Sequence, residues 1–262
     1  MKYVQVKMKS PLRYPGGKTR ACSLLNEIIV EKDLDVSTVV SPFFGGGSFE
    51  FFMCTNHDSK LIVNDKFKPL ASFWTCVKNR NHELCTKLMT YLGKIDKDTF
   101  TDMRKTIMSE PDALNQACIF FIINRCSFSG ATLSGGFSEE SSRKRFTESS
   151  IKRISKLDLS DIIIENKDFV DFIDAYQGFF MFLDPPYYLG NNSKLYGKNG
   201  DMHENFNHEK LHDMVKTKKN WIMTYNNCKF IKDLYKDFEI REVSWSYGMN
   251  SSKESSEIVI IG

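Results

Sequence analysis

The sequence predicts an α/β fold with a mostly parallel sheet and an antiparallel strand at one edge. Strand-like and helix-like segments alternate along most of the 262 residues, which is typical of parallel sheets whose strands are joined by helices. The segment 179–184 (FFMFLD) is almost entirely apolar, as expected for a central strand that is covered on both faces. Two final strand-like segments, 238–247 and 256–261, are joined by a short connection, which favours the antiparallel edge.

The remaining elements follow in chain order. Strands are predicted at 36–43 (VSTVVSPF), 60–65 (KLIVND), 161–165 (DIIIE) and 221–225, and short helices at 148–157, 208–219 and 228–236. Residues 66–125 carry apolar side chains at helical spacing and are predicted to be mostly helical. The Ser- and Gly-rich segment 126–147 predicts a hairpin or loop, and the polar segment 188–207 predicts a long functional loop.

The composition is that of a folded protein with one large domain or one domain with an insertion. Hydrophobic residues make up 41%, and 36 Lys and Arg are balanced by 33 Asp and Glu, which excludes a disordered or collagen-like chain. The net charge of +3 hides an uneven distribution. Residues 1–20 contain six basic residues and no acid, and residues 141–156 contain six basic residues and one acid. Two basic segments on an otherwise acidic chain are compatible with a nucleic-acid substrate.

Cysteine usage and the N-terminal segment predict a cytoplasmic protein. The seven cysteines form no CxxC pair, so we expect free thiols in a reducing compartment. Residues 1–10 contain no apolar signal segment, and no stretch is apolar enough to span a bilayer. The expected location is the bacterial cytoplasm, or the interior of a host cell if the protein is viral.

A glycine turn follows the first predicted strand. Residues 43–48 (FFGGGS) lack both the GK[ST] of a phosphate-binding P-loop and the spacing of GxGxxG. A glycine turn at the carboxyl end of a parallel strand lets a ligand approach the backbone, and Asp65, at the end of the next strand, can accept hydrogen bonds from ribose hydroxyls. The pair predicts a nucleoside cofactor site; a purely structural turn is the alternative.

A rigid tetrad follows the apolar strand. The two prolines of Asp184-Pro185-Pro186-Tyr187 fix the backbone and donate no hydrogen bonds. The Asp184 carboxylate and the Pro185 carbonyl are then two acceptors near one point, with the Tyr187 ring beside them. A planar base with an exocyclic amine matches this arrangement. The alternative is a proline-rich turn without a ligand.

These motifs, in this order, resemble the Dam-type N6-adenine DNA methyltransferases, including those of restriction–modification systems and large DNA viruses. The resemblance covers nearly the whole chain. Residues 13–18 (RYPGGK) resemble the family's N-terminal cofactor motif, and residues 41–48 (SPFFGGGS) resemble its glycine motif. Residues 184–187 (DPPY) match its catalytic tetrad.

The resemblance implies a Rossmann-like S-adenosylmethionine-dependent methyltransferase sheet. Residues 1–66 and 159–262 would form the catalytic domain, and 67–158 an inserted, mainly helical DNA-recognition lobe. The tetrad would be catalytic, through Asp184, Pro185, Pro186 and Tyr187, and no metal is expected. The residues implied to border S-adenosylmethionine are Tyr14, Lys18, Phe43, Phe44, Gly45, Gly47, Ser48, Asp65 and Asp184.

Two segments are implied to contact double-stranded DNA. Residues 124–130 (NRCSFSG) resemble the family's NR…YNG element, with Phe128 and Ser129 in place of the usual Tyr and Asn, and with Arg125 as a further contact. The basic run 143–145 (Arg143, Lys144 and Arg145) is predicted to contact phosphates. The loop 188–206, with Lys194, Tyr196 and Lys198, is a second candidate DNA surface.

The implied activity is methylation of the N6 amine of an adenine that is flipped out of duplex DNA. A restriction endonuclease acting on the same DNA sequence would be a partner. N4-cytosine methylation is an alternative because a similar tetrad serves either amine, and a DNA-binding module without catalysis is another. Residues 208–212 (HEKLH) also match the HExxH zinc-peptidase pattern, but the helix is polar and no third ligand follows.

Overall fold

The computed structural model describes residues 8–14, 16–188, 206–246 and 254–262. Its strands are β1 (Thr38–Ser41), β2 (Lys60–Asn64), β3 (Ile163–Glu165), β4 (Phe180–Leu183), β5 (Trp221–Asn226), β6 (Glu239–Ser246) and β7 (Glu254–Ile261). They form a seven-stranded sheet in the order β3-β2-β1-β4-β5-β7-β6.

The sheet confirms the predicted α/β class. Strands β1 to β5 pair in parallel, whereas β7 is antiparallel to both β5 and β6. The antiparallel strand therefore lies one position in from the edge, and β6 forms the edge itself. The strand order changes direction between β1 and β4, and in open α/β sheets the ends of the strands at such a switch point are where ligands bind.

The central strand β4 explains how the sheet is covered on both faces. All four of its residues are buried. Successive side chains of a strand point to opposite faces. Phe180 and Phe182 accordingly join the hydrophobic core on one face, and Met181 and Leu183 join the core on the other. The apolar run thus has the double-sided burial that its composition predicts.

Eleven α-helices lie in the described part of the chain. They are α1 (Cys22–Glu31), α2 (Ser48–His57), α3 (Lys68–Asn79), α4 (Asn81–Met89), α5 (Lys97–Thr106), α6 (Ala113–Cys126), α7 (Glu139–Lys144), α8 (Glu148–Ser155), α9 (Phe169–Ala175), α10 (His208–Val215) and α11 (Lys229–Leu234). The helical prediction for 66–125 is confirmed by α3 to α6. No helix in the described ranges is long and apolar enough to cross a membrane.

The helices between β2 and β3 share a core with the sheet. Phe73 of α3 stacks on Phe121 of α6 with ring centroids 5.6 Å apart. The indole of Trp74 donates a hydrogen bond to the carbonyl of Gly45 in the glycine turn, at 3.0 Å. The core of this inserted region is therefore continuous with one face of the sheet. Its boundaries as a separate DNA-recognition lobe stay a prediction.

The segment 126–147 is only partly the hairpin or loop that its composition predicts. Ser127 and Phe137 form a single antiparallel bridge, but residues 139–144 form helix α7. The side chain of Ser138 caps this helix by accepting a hydrogen bond from the Ser141 amide, at 3.1 Å. The predicted loop around Lys194, Tyr196 and Lys198 lies outside the described residues. All seven cysteines carry free thiols.

Candidate active site

The glycine turn leaves β1 directly beside the strand that carries the tetrad. Gly45 and Gly47 both adopt positive φ angles, of 51° and 69°, which favour glycine. The Gly47 amide donates to the Phe44 carbonyl and the Phe44 amide donates to the Asn64 carbonyl, both at 2.8 Å. These bonds tie the turn to the end of β2. Ser48 begins α2 and is half-buried.

Tyr14 of the N-terminal motif packs against this turn. A Cβ atom on Gly46 would lie 2.8 Å from the Cβ of Tyr14, and one on Gly45 would lie 3.0 Å from its ring. The glycines are therefore needed for the close approach of Tyr14. Of the two phenylalanines, Phe44 is buried with its ring 5.1 Å from that of Trp74, whereas Phe43 is half-buried. Phe44 thus serves the core rather than an open surface.

Asp65 braces the turn from the end of β2. Its Oδ2 accepts a hydrogen bond from the Gly45 amide at 3.0 Å, and its Oδ1 accepts one from the Phe67 amide at 2.9 Å. Burial raises the pKa of the Asp65 carboxyl to about 6, although both backbone bonds oppose this shift. Each oxygen can accept a further bond. The predicted contact with a ribose is compatible with this position.

Lys18 and Thr224 hold the carboxylate of the tetrad. The ammonium group of Lys18, which is 3% exposed, lies 2.8 Å from Oδ1 and 2.9 Å from Oδ2 of Asp184. It also donates to the carbonyl of Gly16 at 2.8 Å. The Thr224 hydroxyl on β5 donates to Oδ1 of Asp184 at 2.7 Å. Sequence reasoning missed Thr224, which has no motif of its own.

The ring of Tyr187 lies beside the same carboxylate. It is partly exposed, and the Lys18 ammonium sits over it, 5.1 Å from its centroid. The Tyr187 hydroxyl donates to Oε2 of Glu257 on β7 at 2.5 Å, and Glu257 is only 2% exposed. Pro185 is buried and Pro186 is half-buried. The tetrad therefore presents a carboxylate and an aromatic ring at the ends of β4 and β5.

A second buried carboxyl lies beneath the glycine turn. Glu50 of α2 is 2% exposed and accepts a hydrogen bond from the Ser41 hydroxyl at 2.6 Å. Burial raises the pKa of the Glu50 carboxyl to about 8, with a smaller contribution in the same direction from Asp184. Sequence reasoning did not single out Glu50, although an acid among the apolar residues 49–53 was a visible signal.

The two histidines of the HExxH pattern contact tyrosine side chains instead of forming a zinc site. His208 is 7% exposed, and its Nδ1 lies 2.7 Å from the hydroxyl of Tyr225. The ring of His212 packs edge-on against Tyr235, with centroids 5.1 Å apart. Within the described ranges, no group of three or more metal-ligating side chains comes together. The zinc-peptidase alternative is therefore not supported. Asn207 caps the helix, because its side chain accepts a hydrogen bond from the Lys210 amide at 2.8 Å.

The NR element joins the N-terminal motif to the inserted region. The side-chain amide of Asn124 accepts from the Arg13 amide at 3.0 Å and donates to the Arg13 carbonyl at 2.7 Å. A Cβ atom on Gly130 would lie 2.8 Å from Arg13, so glycine is required at this position as well. The 124–130 element thus positions the backbone that carries Tyr14 and Lys18.

Arg125 is buried and bonded to main-chain oxygens. It is 5% exposed, and its guanidinium donates to the carbonyls of Arg145, at 2.8 Å, and Pro11, at 3.2 Å. Burial, with smaller contributions from the nearby charges of Arg153, Arg13 and Arg145, lowers the pKa of Arg125 to about 10. The role of Arg125 in DNA contact stays a prediction.

The tip of the NR element is exposed. Phe128 is 70% exposed, and the neighbouring Ser129 is exposed with a φ angle of 54°. Both residues are therefore accessible to a partner molecule, and their contact with DNA stays a prediction.

The basic run 143–145 is less available for phosphate contacts than its sequence indicates. Arg143 pairs with Glu139, and Lys144 pairs with Glu140 at 2.9 Å, each one helical turn away on α7. Arg145 is exposed and has no ion pair with any residue in the described ranges. The charge of this segment is therefore partly neutralised by acids just outside 141–156.

The parallel sheet, with a glycine turn beside a carboxylate-bearing tetrad, defines a Rossmann-like methyltransferase domain. The chain belongs to the D12 class N6 adenine-specific DNA methyltransferase family, whose profile matches residues 14–249. Type II methyltransferase M.MjaIII from Methanocaldococcus jannaschii is 25% identical over 205 residues, which cover 70% of each chain. The predicted enzyme class is confirmed. Neither cytosine methylation nor a binding module without catalysis is favoured.

Proposed function

We propose that this enzyme binds S-adenosylmethionine at the carboxyl ends of β1 and β2 and methylates an adenine amine held by Asp184. The observation that carries the proposal is the carboxylate of Asp184, which stands beside the half-exposed ring of Tyr187 and next to the glycine turn. The residues fit a nucleoside sulfonium: Tyr14 offers an aromatic ring, and Asp65 retains acceptor capacity for ribose hydroxyls. Lys18 links the N-terminal motif 13–18 to the tetrad through its hydrogen bond to Asp184.

The chemistry proposed for the tetrad follows from the weak nucleophilicity of an adenine amine, whose lone pair is delocalised into the ring. Asp184 and the Pro185 carbonyl accept its two hydrogens, which lets the nitrogen become pyramidal. S-adenosylmethionine, when bound, supplies an electrophilic methyl group on a positively charged sulfur. In the proposed step the new N–C bond would form as the sulfur–methyl bond breaks, and Asp184 would accept the proton that the amine loses. Fixed acceptors aimed at the developing charge and correct alignment both lower the barrier.

We also propose that the inserted region binds duplex DNA while the target base is flipped toward Tyr187. The exposed side chains of Phe128, Arg145 and Arg153 support this surface. Phosphate contacts of this kind position a protein on DNA without reading its sequence.

The direct test is mass analysis of nucleosides after incubating DNA with the purified enzyme and isotopically labelled S-adenosylmethionine. We expect labelled N6-methyladenine. Labelled methylcytosine alone, or no label in any base, would contradict the proposal. Sequencing of the modified DNA would then identify the recognised site.

A partner endonuclease is a further part of the proposal. Its support is that the relative from Methanocaldococcus jannaschii is named a type II methyltransferase. The test is to incubate unmodified and enzyme-modified DNA with extract of the source cells. We expect cleavage of the unmodified DNA alone, at the methylated sequence; equal cleavage of both DNAs would contradict a restriction–modification role.

A further inference from the structure

We propose that Glu257 is a positioning residue that fixes the Tyr187 ring for stacking against the target adenine. The inference rests on the proposed role of Tyr187 in the tetrad. Glu257 lies on β7, which is antiparallel to β5, and is in register with Asn226. Its Oε2 is 2.5 Å from the Tyr187 hydroxyl, although the two residues are 70 positions apart in the sequence.

The burial of Glu257 explains why its hydrogen bond with Tyr187 matters energetically. A carboxylate that is 2% exposed loses most of its hydration, which is costly unless hydrogen bonds replace it. The neighbouring β7 residues Ile258, Val259 and Ile260 are all fully buried, so an apolar side chain would suit the strand better. Hydrogen bonds from a hydroxyl to a carboxylate are about twice as strong as those between neutral groups. The Tyr187 hydroxyl thus offsets part of the cost of burying Glu257.

The backbone of the tetrad gives a reason why a side-chain contact is needed. Pro185 and Pro186 have no N–H groups, so neither can anchor the segment by a backbone donor. The structure anchors the segment from neighbouring strands instead. Thr224 donates to Asp184, and the Asn226 side chain donates to the Tyr188 carbonyl at 2.6 Å. Tyr187 lies between these two anchored residues and is held through its hydroxyl by Glu257.

A ring held at both ends has a defined plane. Loss of the bond to Glu257 would remove the anchor of the Tyr187 hydroxyl on β7 and make rotation about the two side-chain torsions of the ring easier. If the Tyr187 ring changed its orientation, the amine of a base stacked on it would no longer be aligned with Asp184 and the methyl donor. Misplacement by about 1 Å can reduce a rate by about a hundredfold. The consequence is a loss of kcat with little change in cofactor binding.

The test compares Glu257→Leu, Glu257→Gln, Tyr187→Phe and the double variant Glu257→Leu/Tyr187→Phe. The substrate is duplex DNA that contains the site identified by sequencing. The measured quantities are kcat for methyl transfer, KM for S-adenosylmethionine and its Kd by titration calorimetry. The matched control is Tyr176→Phe, because the Tyr176 hydroxyl donates to another carboxylate, Glu165, at 2.7 Å near the opposite edge of the sheet.

We expect Glu257→Leu and Tyr187→Phe each to lower kcat by about tenfold, and the double variant to be no slower than either one, since both remove the same bond. Glu257→Gln retains an acceptor and should stay within about threefold of the natural enzyme. Tyr176→Phe should leave kcat unchanged, and the Kd of S-adenosylmethionine should be the same in every variant.

Losses of kcat that multiply in the double variant would overturn the inference, as would Glu257→Leu with normal kcat. If Glu257→Leu does not fold, the milder Tyr187→Phe still decides: normal kcat in that variant overturns the inference. A natural enzyme that methylates no adenine would instead contradict the proposed function. The two failures are thereby distinguishable.

Discussion

Lys18 and Asp184 lie 166 positions apart in the sequence, yet the ammonium of Lys18 contacts both carboxylate oxygens of Asp184, at 2.8 and 2.9 Å. The lysine belongs to the N-terminal motif 13–18 and the aspartate to the tetrad 184–187. The same ammonium lies 5.1 Å from the centroid of the Tyr187 ring. The contact therefore couples the segment that packs on the glycine turn to the two tetrad side chains proposed to hold adenine.

Replacing Lys18 by Met introduces an apolar side chain of similar length and removes this ion pair. Because Lys18 is 3% exposed, the substitution leaves Asp184 without its ammonium partner. We expect a loss of about 1–3 kcal/mol in the free energy of unfolding, measured in urea. The control is Lys66→Met, which breaks an exposed pair with Asp168. That pair should contribute less than about 1 kcal/mol. Equal losses in both variants would contradict the importance of the buried contact.

Asp184→Ala removes the proposed acceptor for the adenine amine. We expect methyl transfer to fall by at least about a hundredfold, because an acceptor aimed at the reacting group is lost. Binding of S-adenosylmethionine should remain measurable by calorimetry. The control Asp233→Ala removes an exposed carboxylate that pairs with Lys229 on α11 and should keep full activity. Near-normal turnover of Asp184→Ala would show that the tetrad mechanism is wrong.

Glu50 should make the stability of the protein depend on pH. Burial raises its pKa from 4.5 to about 8, so the folded state binds a proton more tightly than the unfolded chain. The stabilisation is complete below pH 4.5 and is lost as pH rises through 8. Between these values the contribution falls by about 1.4 kcal/mol per pH unit.

The comparison for this prediction is Glu50→Gln, which keeps an acceptor for the Ser41 hydroxyl but does not titrate. Urea unfolding at several pH values between 5 and 9 should show a smaller decline for the Gln variant. Parallel curves for both proteins would contradict the assignment, since Asp65 and all other titrating groups are common to both.

Gly46→Ala should weaken cofactor binding through Tyr14. The added Cβ would lie 2.8 Å from the Cβ of Tyr14 and force the N-terminal segment away from the turn. Overpacking of this kind costs about 1–3 kcal/mol, so we expect the Kd of S-adenosylmethionine to rise by about tenfold. Gly136→Ala is the control, because its Cβ would meet no atom within 4 Å. A normal Kd in Gly46→Ala would argue against a role of Tyr14 in the site.

The arginines of the inserted region should differ in their contribution to DNA binding. Arg145 has no ion pair among the described residues, whereas Arg143 is paired with Glu139. We expect Arg145→Ala to reduce the slope of log K against log salt by about one. Arg143→Ala should reduce it less, because part of its charge is already neutralised. The measurement is DNA affinity at several salt concentrations, and the reverse order of the two effects would contradict the assignment.

Local motifs could be interpreted from the sequence because their function lies in contiguous residues. The 43–48 turn depends on glycines at positive φ, and the 184–187 tetrad depends on a carboxylate followed by two prolines. Both signals are visible in a few adjacent letters. Helix α7 was also signalled locally, by a Ser N-cap and acid–base pairs one turn apart, but the Ser and Gly content of 126–147 favoured a loop instead.

The sequence by itself determined the α/β class, the glycine turn and the tetrad, because hydrophobic periodicity and backbone restrictions act over short distances along the chain. Only the tertiary structure decided which side chains hold the glycine turn and the tetrad in place. Thr224 and Glu257 lie on β5 and β7 and reach the tetrad because β5 pairs with β4 and β7 pairs with β5. The tertiary structure also decided that the guanidinium of Arg125 is buried and donates to main-chain oxygens, which the sequence did not indicate. The physical reason is that burial and hydrogen-bond partners depend on residues far apart in the sequence.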